Sequence, residues 1–325
     1  MYSIQVFVFF IILFLYSGLV FQSVSEIVCM TAKVFDFKQF SVRREYAGMK
    51  LSTDSVLLGA WTADYLIRRS RDKDLQQSSY PDRPVEHILD IGTGTGVLAM
   101  IMAQFFRTAS VTAVDIDAGA VADAVINFRE CPFSSRIVLC QTDISAVCSN
   151  RELMEKSVYG RTDMDPDKRY DLIICNPPYY DSAVGVRSES RRQARCNDSL
   201  SSFRLFTAVD NFLSADGYAC IILPVSQSSG YLEEADAQGF VAEKTVKISS
   251  RADKEPYAVL LAIRRKEALR GINGNIGKNG ICEDTGDDSS LFKMTAVSSE
   301  EQYLTENDGR RSDFFAGITR ELYLR

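Results

Sequence analysis

Residues 87–96 read HILDIGTGTG, and the helical pattern VLAMIMAQFF follows at 97–106. A short apolar strand running into glycines at alternate positions, then a helix, opens a nucleotide-binding βαβ unit. Gly92, Gly94 and Gly96 allow left-handed backbone and let the chain approach a ligand closely. The dinucleotide form of this loop places its third glycine three residues after the second; here the interval is two. Asp90, just ahead of the glycines, suits an amino-acid-bearing cofactor better than a pyrophosphate. On its own the loop fits NAD, FAD or S-adenosylmethionine, and a plain tight turn is the bland alternative.

The same rhythm continues outward. Candidate strands are HILDIG (87–92), VTAVDID (111–117), IVLCQTD (137–143), YDLIICN (170–176) and GYACIILP (217–224). Helical patterns separate several of them, at 97–106, AGAVADAVINFRE (118–130) and SSFRLFTAVDNFL (201–213). Near-continuous apolar strands alternating with helices predict a parallel sheet covered on both faces. Two late strands, VAEKTVKIS (241–249) and AVLLAIRRK (258–266), are close enough to pair as an antiparallel edge. The expectation is α/β: a Rossmann-like, doubly wound, mostly parallel seven-stranded sheet with helices on both faces. Polar insertions are expected near 68–84, 149–169 and 270–290, the last Gly/Asn/Asp-rich and read as disordered. The tail DFFAGITRELYLR (313–325) recovers apolar periodicity and is expected to dock as a helix or final strand.

The chain has 325 residues, 46% of them hydrophobic and 25% charged, an ordinary globular balance. Its eight cysteines form no C-x-x-C pair and it has one histidine, so a zinc site is not expected. The thiols read as reduced and packed, as in a cytosolic protein. The lone His87 begins a strand, a poor place for acid–base chemistry. Residues 271–309 carry eight acids against two bases, which accounts for the whole net charge of −6. A neutral remainder with local arginine clusters permits a nucleic-acid partner without requiring one.

Residues 4–21 (IQVFVFFIILFLYSGLVF) are uncharged and long enough for a marginal membrane span. A secretory signal would begin with a basic stretch, yet the first basic residue is Lys33. Of a membrane anchor and a translation start at Met30, the latter is the expectation, with residues 30–325 as one domain.

Several strand ends converge chemically. Asp115 ends the second strand, where a carboxylate accepts ribose hydroxyls; Asp117 could instead cap the next helix. Asp143 ends the third strand, placed to meet the adenine of a nucleoside cofactor. The fourth delivers CNPPYYD (175–181) to the same edge, since two prolines stop the ladder there. Asn-Pro and Pro-Pro also mark ordinary turns, but Asn176 before the corner and Tyr179 and Tyr180 after it suit a planar ligand.

Together, DIGTGTG, Asp115, Asp143 and NPPY resemble the class I S-adenosylmethionine-dependent methyltransferases that modify amines. The resemblance implies S-adenosylmethionine as cofactor, held by Asp90, Gly92, Gly94, Gly96, Asp115 and Asp143. It implies that NPPY receives an amide or exocyclic amine. Asn176 Oδ1 and the Pro177 carbonyl would accept from one NH₂ group while Tyr179 stacks on the ring. Proximity and orientation then do most of the work.

NPPY does not choose between adenine and glutamine. The segment FDFKQFSVRREYAGMKLSTDSVLLGAW (35–61) resembles the start of the tRNA1(Val) adenine-37 N6-methyltransferases, as do RRQARC (191–196) and the terminal LYLR. By that resemblance Lys50, Thr53 and Asp54 line the cofactor's entrance, with Thr53 or Asp54 also able to cap SVLLGAW. Ser52 stands where the family usually has glycine. Arg191, Arg192 and Arg195 would meet phosphates of a flipped nucleotide, unless they form only a solvated helix face. The implied substrate is tRNA, with no metal, on a cytoplasmic monomer. One rival is a glutamine-N5 release-factor methyltransferase, which would bring a larger N-terminal helical domain than the stretch between Met30 and His87 offers. The other is a non-catalytic S-adenosylmethionine-binding RNA module, which would have no need of the Asn176 amide.

Overall fold

The computed structural model describes residues 34–48, 51–71, 84–149, 157–160, 164–178, 200–270 and 296–323. A small antiparallel pair, β1 (Val34–Asp36) and β2 (Ser41–Arg43), precedes the long helix α1 (Thr53–Arg71). The Rossmann rhythm follows as β3 (His87–Ile91), α2 (Val97–Phe105), β4 (Ser110–Asp115), α3 (Ala118–Glu130), β5 (Ile137–Gln141) and α4 (Ile144–Ser149). Next come β6 (Ser157–Tyr159), β7 (Tyr170–Cys175), α5 (Ser202–Phe212), β8 (Leu213–Pro224) and α6 (Val225–Ala237). The chain closes with β9 (Phe240–Arg251), β10 (Pro256–Arg265), α7 (Lys266–Arg270), β11 (Ala296–Thr305) and α8 (Asp313–Thr319).

The central sheet runs β11-β9-β10-β8-β7-β3-β4-β5-β6. Strands β8, β7, β3, β4 and β5 are mutually parallel, and β10 pairs antiparallel with both β8 and β9. The α/β class and the seven expected strands are all present. The sheet has nine strands, however, because two polar or charged stretches hide its edges, the three-residue β6 and the ten-residue β11. β6 lies inside the expected insertion 149–169 and pairs antiparallel with β5, and nearby Met164 is buried. β11 runs parallel to β9, with Glu300 on Lys244 and Glu301 3.6 Å from Lys247. Residues 68–71 of the expected first insertion complete α1. The segments 1–29 and 271–290 lie outside the described residues.

Alternating side chains feed two cores, as buried parallel strands require. Ile88, Leu172, Cys220 and Leu260 face one layer, with α1, α2 and α3; Leu89, Ile173, Ile221 and Leu261 face the other, with α5. The tail docks as the helix α8, and Leu322 beyond it is fully buried. It returns to the N-terminal hairpin: Lys38 N donates to Leu322 O at 2.8 Å, and Tyr323 stacks on Phe37. Among the described residues no helix is long and apolar enough to cross a membrane.

Chain order reverses between β3 and β7. Going out from β3 through α2 leads to β4, whereas β7 lies on the other side of β3. Ligands of open α/β sheets bind at the carboxyl ends of strands at such a reversal.

Candidate active site

A cavity of about 360 Å³ opens at that reversal, within the roughly 300–1,000 Å³ usual for small-molecule sites. Its floor is the glycine loop. Gly92 N and Thr93 N both donate to Val114 O, at 2.9 and 3.0 Å, so the loop is stitched to the end of β4. Gly94 N donates to Asp115 Oδ2 at 2.7 Å. Gly96, at φ +85°, starts α2, and a Cβ there would lie 2.4 Å from the Phe128 ring. The third glycine is therefore a requirement of packing α2 against α3.

Asp90 lies beneath this loop, fully buried. Its Oδ2 accepts from Thr93 Oγ1 at 2.6 Å and from Ala99 N at 3.0 Å, while Oδ1 has no partner among the described residues. Burial pushes its carboxyl up to about 7. Asp90 does not line the cavity, so it shapes the loop from below. Asp115 does line it, and burial also raises its carboxyl despite hydrogen bonds from the Gly94 and Asp117 amides. Asp117 caps α3, accepting from Ala120 N at 2.7 Å, and shares the cavity wall. Asp143 accepts from Ser145 N at 2.8 Å at the start of α4 and faces the same space. Ile116, more than half exposed between Asp115 and Asp117, adds an apolar plate.

These donors and acceptors fit a nucleoside. Two carboxylates at neighbouring strand ends can accept from ribose hydroxyls and an adenine amine, and the apolar residues between can sandwich a ring. The glycine backbone leaves room for an amino-acid tail.

The opposite wall holds Asn176 and Pro178, immediately after β7, while the ring of the expected Pro177 between them is buried and does not line the cavity. Asn176 Nδ2 donates to Ser55 Oγ at 2.8 Å and to Ser52 Oγ at 3.3 Å. Ser52 also accepts from Ser55 N at 3.1 Å, so Ser52 caps α1 in place of the expected Thr53 or Asp54. Leu51, Ser52 and Ser55 line the cavity, whereas Thr53 and Asp54 do not. Asp54 instead accepts from Tyr257 OH at 3.2 Å, and burial raises its carboxyl. The helical turn explains this: residues 52 and 55 share a face, and 54 points away from it. Lys50, Tyr179, Tyr180, Arg191, Arg192 and Arg195 lie outside the described residues.

Three parts of the site were not foreseen from sequence. Ala47 and Gly48 form part of the wall, held by the wholly buried Asp123 of α3. That carboxylate accepts from the consecutive amides of Glu45, Tyr46 and Ala47 at 2.7–3.2 Å. One turn on, Asn127 accepts from Arg43 N at 2.7 Å and donates to Arg43 O and to Thr95 O. The signal was an Asp and an Asn spaced i, i+4 on the apolar face of AGAVADAVINF. Arg204, in the first turn of α5, is the third; it is the one cation among the described lining residues.

The chain is similar to known proteins over most of its length. The chain is 32% identical over 293 residues to the tRNA1(Val) (adenine(37)-N6)-methyltransferase of Vibrio parahaemolyticus serotype O3:K6 (strain RIMD 2210633), covering 90% of this chain and 96% of that protein. The chain belongs to this family. The enzyme of the same name from Klebsiella pneumoniae (strain 342) is 33% identical over 231 residues, 70% of this chain and 80% of its own. Residues 75–189, which include the glycine loop and Asn176, match the family model "Methyltransferase small domain". Among solved structures, a "predicted O-methyltransferase" from Agrobacterium tumefaciens aligns at 15% identity with a TM-score of 0.49, over 83% of this chain and 96% of its own.

Proposed function

We propose that the protein methylates the N6 amine of an adenine in tRNA, adenine 37 of tRNA1(Val), with S-adenosylmethionine as donor. The observation that carries this reading is the meeting of Asp115, Asp143 and Asn176 around one cavity at the sheet's reversal. The activity for which the relatives are named supplies the acceptor. When bound, S-adenosylmethionine would supply an electrophilic sulfonium methyl: the N–CH₃ bond forms as the S–CH₃ bond breaks, the neutral thioether leaves, and the methylated amine gives one proton to water.

The chain's own groups bind and orient. Asp115 holds ribose hydroxyls and Asp143 the adenine of the cofactor, while the glycine loop borders its amino-acid end. Asn176 Oδ1 and the Pro177 carbonyl accept from the two N6 hydrogens, which aims the nitrogen lone pair into the cavity. Tyr179 stacks on the flipped base, and Arg191, Arg192 and Arg195 meet its phosphates. Orientation of this kind is worth several powers of ten in rate, roughly 7–11 kcal/mol at the limit. We further propose that residues 30–325 act as one domain and as a monomer in the cytoplasm. The backbone bond from the N-terminal hairpin to Leu322 supports a single unit.

Mass spectrometry of nucleosides tests the reading. Protein, methyl-labelled donor and unmodified tRNA1(Val) should give N6-methyladenosine at position 37. Label appearing on glutamine of a release-factor peptide, with none in tRNA, would move the acceptor to protein.

A further inference from the structure

The wall that carries Asn176 contains three polar side chains whose protons can be counted. Asn176 Nδ2 contacts Ser55 Oγ at 2.8 Å and Ser52 Oγ at 3.3 Å, and the two hydroxyl oxygens lie 3.2 Å apart. Ser52 Oγ also accepts from the Ser55 amide at 3.1 Å. A hydroxyl has one proton and two acceptor positions. Ser52 fills both positions, one with the Ser55 N–H and one with an Asn176 N–H. Its own proton therefore donates to Ser55 Oγ, whose remaining position takes the other Asn176 N–H. Every contact then has a proton.

The reversed amide fails this count. With Oδ1 toward the serines, only the two hydroxyl protons remain for the three contacts among Asn176, Ser52 and Ser55, so one contact has none. The orientation that gives every contact a proton is favoured.

We propose that Ser52 and Ser55 are positioning residues that fix the amide of Asn176, with Nδ2 held at the head of α1 and Oδ1 turned away from it. This rests on the methyl-transfer reading, because an exocyclic amine needs an acceptor and an amide presented the other way would offer it a donor. The pair thus selects an acceptor molecule that brings N–H groups to this corner. Both serines also line the cavity, so the device is part of the wall.

Ser55 is the cleaner probe, since Ser52 also caps the helix. Ser55→Ala should lower kcat about tenfold or more, with KM for tRNA and calorimetric affinity for S-adenosylmethionine close to wild type. Ser55→Thr, which keeps the hydroxyl, should restore most of the rate. Asn176→Asp supplies the decisive background, because a carboxylate presents an oxygen to both sides and has no orientation to fix. There, Ser55→Ala should cost less than about threefold. Equal losses with and without the Asn176→Asp substitution, or a wild-type rate for Ser55→Ala, would overturn the proposal. A readout independent of activity is the side-chain NH₂ signal of Asn176 in asparagine-labelled protein, assigned by its disappearance in Asn176→Asp. Its exchange with water should be slow in wild type and faster in Ser55→Ala. No change in that exchange also defeats the proposal, whereas slow exchange with no methylation of tRNA would fault only the functional reading.

Discussion

On the β3–β4 side of the cavity the wall is held by backbone and by carboxylates of its own strands: Gly92 N and Thr93 N reach Val114 O, Gly94 N reaches Asp115 Oδ2, and Ala99 N reaches Asp90 Oδ2. On the far side the wall is residues 45–48 and the head of α1, held by side chains. Asp123 gathers three amides, Asn127 ties Arg43 to Thr95, and two serines hold Asn176. The first wall depends on glycine where the turn requires it and on two carboxylates close by in sequence. The second depends on a few polar side chains 76–124 residues away in sequence. Substitutions should therefore fail differently on the two sides.

The largest effect is expected at Gly96. A methyl group there meets the Phe128 ring at 2.4 Å, and φ is +85°. Phe128 is fully buried and packs against Tyr159, so it has nowhere to retreat. Gly96→Ala should cost about 3 kcal/mol, combining left-handed strain with overpacking. Gly94→Ala, at φ +57° with open space around it, should cost only about 1–2 kcal/mol. Urea midpoints would compare them; equal shifts would mean that packing against α3 contributes nothing.

Asn176→Ala should be comparable in free energy but confined to rate. The methyl-transfer rate should fall about 10²-fold or more with donor affinity kept, because orientation is lost and binding is not. Single-turnover measurements with tRNA decide it. A wild-type rate would reduce the proline corner to a turn.

Two carboxylates sharpen the contrast between the walls. Asp123→Ala strips the partner from three amides, so it should cost about 2 kcal/mol of stability and also weaken donor binding through Ala47 and Gly48. Asp115→Ala should weaken donor binding about tenfold or more, with a smaller shift of the unfolding midpoint. Calorimetry with S-adenosylmethionine beside urea unfolding separates the two. If both variants lose stability equally, the division into a backbone wall and a side-chain wall fails.

The same division explains what was legible in the sequence. The α/β class, the seven principal strands, the glycine loop and the acids at strand ends could all be read, because each announces itself within ten residues. Asn176 and its prolines were equally visible. Asp123 and Asn127 were not: in sequence they are two polar residues on an apolar helix face, and their partners lie in a segment that precedes the sheet. Ser52 was noted only as a departure from glycine, although it caps α1 and holds the amide. The edges β6 and β11 escaped because SVY is too short and AVSSEEQYLT too polar to show the apolar run of an inner strand. β11 is recognisable only once Lys244 and Lys247 of β9 are seen beside Glu300 and Glu301.

The last expected effect is one of pH dependence and concerns Asp90, the buried group beneath the glycine loop. Burial raises its carboxyl to about 7, whereas an unfolded aspartate titrates near 3.9. Between those values the folded protein keeps a proton that the unfolded chain has released. Stability from this group is therefore complete below about pH 4, declines as pH rises toward about 7, and is level above it. Asp90→Asn is neutral throughout and retains an oxygen to accept from Thr93 Oγ1 and Ala99 N. Its unfolding free energy should fall less steeply between about pH 4.5 and 6.5, by at most about one proton's worth of slope, some 1.4 kcal/mol per pH unit. Asp115, whose carboxyl is also raised, titrates in both proteins, so some slope remains in the variant. Urea unfolding at several pH values measures the difference. Identical slopes would mean that Asp90 is ionised in the fold, so that its Oδ1 carries charge directly beneath the glycine loop.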